Sequence, residues 1–242
     1  MASRSGFALG LHREETLAIF SDEEQALRRN LWRSVFVLDC FLAASMGRPT
    51  AISEDGCSGE ALTAENTSSS STSSFFTAIT SPSSTLGLEA SVRSCRVIGT
   101  ILKRVYSKRK ISTRLAQEIA DECALWPDTL DPSLHSRQMT TTGINPSHGI
   151  AILHVNLLYC HTIILLTRPF FLFLLNKVQK ERMSGVQRSR RIGSRIEKFS
   201  ECCVSASCHS ISLAQNALDG GYLSYRNPFV MLVISSPFLS KC

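Results

Sequence analysis

Cys202, Cys203, Cys208 and His209 place four sulfur or imidazole groups within eight residues, which raises the question of a zinc site. Structural zinc needs ligands that converge tetrahedrally, usually from two short pairs. Adjacent cysteines on a helix point about 100° apart, so packed thiols are the better reading. The nine cysteines, at positions 40, 57, 95, 123, 160, 202, 203, 208 and 242, include no C-x-x-C pair. That usage fits a reducing compartment in which most thiols act as small apolar fillers. The histidines, at 12, 135, 148, 154, 161 and 209, are scattered. His154 and His161 stand near one helical face, yet no carboxylate lies close to them in sequence. No G-x-S-x-G, G-x-x-x-x-G-K-[ST], H-E-x-x-H or dinucleotide glycine pattern occurs. The sequence therefore nominates no catalytic residues, and no enzyme is expected.

Charge is concentrated. Residues 177–198 carry Lys177, Lys180, Arg182, Arg188, Arg190, Arg191, Arg195 and Lys198 against Glu181 and Glu197, which equals the whole chain's formal charge of +6. Such a run can be a nuclear-import signal, with Arg188, Arg190 and Arg191 at its centre, a nucleic-acid contact or a solvated linker. It lacks the interleaved aromatics that stack on bases.

The elements that must position these groups read as helices. With 242 residues, 43% of them hydrophobic, the chain can bury roughly 70% of its unfolded surface without a disulfide or metal. Ser21 followed by Glu24 is a capping box, in which each side chain reaches the other's backbone amide. It opens a helix over 22–46, where Leu27, Leu31, Val35, Leu38 and Leu42 recur at helical spacing as a core face and Gly47 supplies the left-handed stop. Leu88, Val92, Cys95, Ile98, Leu102 and Val105 mark a second helix, and Leu115, Ile119 and Cys123 a third that closes at Trp126-Pro127. Asn145-Pro146 starts a long apolar helix over 150–175, in which Pro169 is expected to end the first piece. Cys202, Ala206, Ile211, Ala214 and Leu218 mark another, ending near Gly220. Residues 64–85 are rich in serine and threonine, whose hydroxyls compete for backbone hydrogen bonds, and read as a loop. No segment demands a sheet, so the expected class is all-α, an irregular multi-helix bundle.

The 150–175 run is also long enough to span a bilayer, giving an alternative reading as a membrane-anchored helical protein. Against it stand His154, Asn156, His161 and Arg168-Pro169, since an arginine near mid-bilayer costs about 2.5–3.5 kcal/mol even on the lenient scale. Membrane partners are therefore disfavoured. The first residues lack the apolar run of a secretory signal.

Residues 31–39, Leu-Trp-Arg-Ser-Val-Phe-Val-Leu-Asp, precede Gly47-Arg48-Pro49-Thr50-Ala51-Ile52 and the acidic Ser53-Glu54-Asp55. In order and type they resemble the regulatory domain, or middle homology region, of fungal zinc-cluster transcription factors. Leu158-Tyr159 through Leu166-Thr167-Arg168-Pro169-Phe170-Phe171 resembles the family's later helix ending in Arg-Pro-Phe. The resemblance covers most of residues 1–235. Departures are Arg33, where a second aromatic is frequent, and Cys40, where a basic residue is frequent. The resemblance implies an all-helical domain that regulates transcription in the nucleus through protein contacts or effector sensing. Its implied partners are transcriptional machinery or regulatory proteins, with a homodimer among them and DNA reached only through a separate module. That module holds zinc on six closely spaced cysteines, which this sequence lacks, so no cofactor is expected here. The whole of 1–242 then reads as a partial regulatory domain. Phe7-Ala8-Leu9-Gly10 reads as the tail of an earlier helix, and the apolar start at Asn227-Pro228-Phe229 breaks at Pro237.

The motif residues implied by the resemblance are Asp39, Gly47, Arg48, Pro49, Arg168 and Pro169. Gly47 lets the chain reverse so that Arg48 can fold back toward Asp39, whose burial would be costly unpaired. Otherwise Asp39 reaches solvent from a half-exposed face.

Overall fold

The computed structural model of the chain describes residues 2–62, 82–108, 110–140, 143–184, 194–223 and 227–235. Ten α-helices run through them: α1 (Ala2–Ala8), α2 (Glu14–Leu17), α3 (Asp22–Met46), α4 (Gly59–Leu62), α5 (Pro82–Ile101), α6 (Thr113–Ala124), α7 (Trp126–Thr129), α8 (Pro146–Ser184), α9 (Ser194–Asp219) and α10 (Pro228–Ser235). No strand occurs among the described residues, and the fold is all-α. Most of the serine-rich segment and all of Arg188, Arg190 and Arg191 lie outside the described residues. The last residues of that segment form the first turn of α5, with proline at its first position, where a missing N–H costs nothing.

Local side chains set the starts. Ser112 Oγ accepts from Leu115 N at 3.1 Å, Asn145 Oδ1 from Ser147 N at 3.0 Å and Asn227 Oδ1 from Phe229 N at 3.1 Å. Each satisfies an amide that the helix cannot. At Ser21 only half of the expected box forms. The hydroxyl accepts from Glu24 N at 3.4 Å, while the Glu24 carboxylate takes two hydrogen bonds from Arg28 one turn on. Arg28 also lies over the Phe20 ring at 3.7 Å, which holds it in reach of Glu24.

The leucine stripe of α3 faces outward, contrary to expectation. Leu27, Leu31, Leu38 and Leu42 are 56%, 51%, 54% and 45% exposed, whereas Trp32, Phe36, Cys40 and Phe41 are buried. Both sets have helical spacing, and the larger aromatic face yields more on burial. Trp32 sits beneath α1, with Phe7 edge-on at 5.2 Å. Gly6 permits the approach, since a Cβ there would stand 2.7 Å from the indole.

The α8 helix is the centre of the bundle, packed by α5, α6, α9 and α10. It is apolar around its circumference, as a helix enclosed by others should be. It is long and apolar enough to cross a membrane, but 72% of its most apolar window is buried by its neighbours in the protein. Its buried amide is met internally: Asn156 Nδ2 donates to Leu134 O at 2.9 Å and Ile152 O at 2.8 Å. The expected break at Pro169 does not occur, and α8 continues to Ser184.

At the two ends, Leu11 and Val230 are buried, and Phe229 packs on Phe41 at 4.3 Å between ring centroids.

Candidate functional site

Gly47 ends α3 with φ 64° and ψ 32°, a conformation that costs an L side chain energy and glycine almost none. Its successor Arg48 donates its backbone N–H to Ala43 O at 2.9 Å, closing the reversal. Asp39 and Arg48 do not pair. Instead, Asp39 Oδ2 accepts from Ala51 N at 2.8 Å and Ile52 N at 2.9 Å, while the Arg48 side chain is exposed. The half-buried carboxylate thus stabilises the chain leaving the turn and seats Ile52 in the core, where it is 2% exposed.

The acidic stretch that follows winds into a single tight turn, Glu54–Gly56. Glu54 is bound by Arg96 Nε at 2.8 Å and Asp55 by Lys103 Nζ at 2.8 Å. The hydrogen bond between the latter two holds the Asp55 carboxyl below its ordinary range and the Lys103 amine above its own. Both carboxylates of this turn are therefore committed to cations of α5 and its extension.

That extension is a π-helical turn, Leu102–Tyr106, closed by Ser107 N donating to Leu102 O at 2.9 Å. Such wide turns are uncommon inside helices and frequent at functional sites. Here the turn delivers the Tyr106 hydroxyl to Leu165 O at 2.8 Å. Leu165 is four residues before Pro169, so its carbonyl is the one that proline cannot serve. Tyr106 supplies the missing donor, which accounts for the continuity of α8 through the proline. Burial pushes the Tyr106 phenol up to about 12, so it remains a donor.

The end of α3, the Gly47-Arg48-Pro49 turn, the acidic turn, the π turn and the Arg168-Pro169 segment border one open cavity of about 1290 Å³. Its cations are Arg48, Arg96, Lys103, Lys110 and Arg168. Arg168 is half-buried, and its Nε and Nη2 atoms are buried with no hydrogen-bond partner among the described residues. His161 also lines the cavity. Burial, with the Arg168 charge adding to it, pushes its imidazole down to about 4, so it is neutral at pH 7. Cys40 and Cys95 form part of the wall and bind α3 to α5, Cys40 Sγ donating to Cys95 O at 3.1 Å. The Cys95 thiol is raised well above its ordinary value by its hydrogen bond with Cys40 and by burial, which makes it a poor nucleophile. The cavity offers positive charge and hydrogen-bond donors, with no base placed beside a nucleophile. Such a lining suits an anion better than it suits chemistry on a substrate.

Of the motif residues expected from sequence, Gly47, Arg48, Pro49, Arg168 and Pro169 line this cavity, and Asp39 fixes the strand of chain that bounds it. Tyr106, Arg96, Lys103 and Lys110 were not legible, because no spacing relates them to either motif. Cys202 and Cys208 are exposed while Cys203 is buried, and no group of three or more His, Cys, Asp or Glu converges among the described residues. The zinc that the resemblance implies belongs to a separate six-cysteine module and has no counterpart in these residues' expected roles.

The profile of the fungal specific transcription factor domain matches residues 1–139. Filamentous growth regulator 27 of Candida albicans is 24% identical over 246 residues, an alignment covering 97% of this chain and 29% of that protein. The chain thus spans less than a third of the relative's length. No solved structure matches it.

Proposed function

Because the chain belongs to the fungal specific transcription factor domain family, we propose that it serves as the regulatory part of a transcription factor and adjusts activation by sensing an effector in the α3–α5–α8 cavity. The coarser role, regulation of transcription, comes with the family, which is not an enzyme family. The observation that carries the finer reading is the meeting of two sequence motifs 120 residues apart, Arg48-Pro49 and Arg168-Pro169, at the walls of one 1290 Å³ cavity. A turn and a proline-containing helix held around an open volume can respond to what fills it, because the filled and empty states differ in contacts.

On this reading DNA is reached through zinc-bearing sequence outside this chain. The working compartment is the nucleus, with Arg188, Arg190 and Arg191 as the import cluster. The output surface contacts transcriptional machinery or a second copy. The test fuses residues 1–242 to an unrelated DNA-binding domain and measures a reporter in a fungal host. Reporter output should differ from that of the DNA-binding domain alone, and Arg168→Gln should shift it. Output identical to the DNA-binding domain alone would defeat the proposal.

A further inference from the structure

The geometry points to an amphipathic organic anion as the occupant of this cavity, its acidic head on the Arg168 guanidinium and its apolar body along the wall formed by Phe36, Leu165 and Leu172. Four observations meet here. First, Arg168 is an always-charged group whose Nε and Nη2 are buried without a hydrogen-bond partner among the described residues. N–H donors left without an acceptor are costly, and a carboxylate accepting two parallel N–H bonds is the best geometric match to a guanidinium.

Second, the cavity's own acids are already used, Glu54 by Arg96 and Asp55 by Lys103. Neither is free to neutralise Arg168, while Arg48 and Lys110 add further positive charge to the lining. Third, the lining is not that of a simple phosphate cradle. Phe36, Ala44, Ile52, Val105, Leu165 and Leu172 contribute to it, so a bare inorganic ion would leave most of the surface unmatched. Fourth, the volume of about 1290 Å³ exceeds the ordinary range of small-molecule sites, which suits a ligand with a body as well as a head.

The regulatory consequence rests on the reading under Proposed function, but the binding itself does not. The test uses the full chain and three probes: sodium decanoate, which has head and body; decanol, which has the body alone; and sodium acetate, which has the head alone. Affinity is read by isothermal titration and by the shift in melting temperature. Decanoate should bind about tenfold or more tighter than decanol, the ratio expected of a charge-assisted, partly desolvated hydrogen-bonded pair, and acetate should bind weakest.

Arg168→Gln should remove the preference for decanoate while leaving decanol binding within about twofold, which also reports that the variant is folded. Arg168→Lys, keeping the charge, should retain part of the preference. Decanoate binding no tighter than decanol to the unaltered chain would overturn the inference without recourse to any variant, as would an unchanged preference in Arg168→Gln. A responsive reporter without decanoate preference sinks this inference alone. Decanoate preference with an inert reporter confirms the anion site and sinks the regulatory reading alone.

Discussion

Asp39 works on backbone rather than on a side chain. Its Oδ2 takes the amides of Ala51 and Ile52, so Asp39→Ala should leave two donors poorly satisfied and cost about 1–3 kcal/mol. Arg48→Ala, at an exposed position, should change stability by no more than about 0.5 kcal/mol, and the double variant should equal the sum of the singles. Urea midpoints for the four proteins test this; a coupling energy well above about 0.5 kcal/mol would show that the two charges interact after all. The motif was visible in sequence, but the partner of its carboxylate was not, because a backbone amide donor leaves no mark on residue type. His161 makes a second prediction at this scale. Its pKa falls from 6.5 in the unfolded chain to about 4 in the fold. Between those values the unfolded state binds a proton that the native state refuses, so stability must fall as pH drops from 6.5 toward 4. The loss attributable to His161 is on the order of 3 kcal/mol. His161→Gln should flatten the stability profile in that window. A residual slope belongs to His12 and His154, which burial also depresses, and an unaltered slope would assign the effect elsewhere.

Helices α5 and α8 are joined by a repair. Pro169 removes the donor for Leu165 O, and the Tyr106 hydroxyl replaces it at 2.8 Å. Tyr106→Phe should therefore cost about 1–3 kcal/mol in the natural sequence, for a carbonyl left without a partner. In a Pro169→Ala background, where residue 169 has an N–H to give, the same change should cost about 1 kcal/mol less. A thermal or urea double-mutant cycle with no coupling would show that the tyrosine does not compensate the proline. The contrast among elements explains what sequence could reveal. The helix starts at Asn145-Pro146 and Asn227-Pro228 were legible because capping is settled within three residues. The continuity of α8 was not, since the donor to Leu165 O comes from a residue 59 positions earlier. The orientation of α3 failed for a related reason. Two stripes share one period, and only the presence of Trp32, Phe36 and Phe41 on the second distinguishes the face that goes inside.

At the scale of the whole molecule, the outward leucines of α3 and the basic segment define how the chain meets its surroundings. Leu27, Leu31, Leu38 and Leu42, each about half exposed, form a contiguous apolar strip on one helix. The isolated chain should bind a hydrophobic dye, and Leu31→Lys combined with Leu38→Lys should reduce that binding without lowering the melting temperature, since neither side chain is in the core. Dye binding unaffected by the pair would place the apolar surface elsewhere. Contact with DNA should be diffuse and salt-sensitive, because the sequence over 177–198 offers positive charge for phosphates and no interleaved aromatics for bases. In a gel shift, unrelated duplex should abolish any complex, and one that survives in a sequence-selective way would contradict this. All-helical architecture was legible from periodicity, but the cavity was not, being a product of how α3, α5 and α8 cross. The placement of the two tryptophans has a practical consequence. Trp32 is fully buried beneath α1 on the same helix that walls the cavity, whereas Trp126 is partly exposed and stacks on Tyr159 at 4.3 Å. Their emission colours should therefore differ, with Trp32 at the blue edge and beyond the reach of iodide. A red shift confined to the unquenched component would report loosening around α3 in an unlabelled protein, giving each side of the bundle its own optical signal.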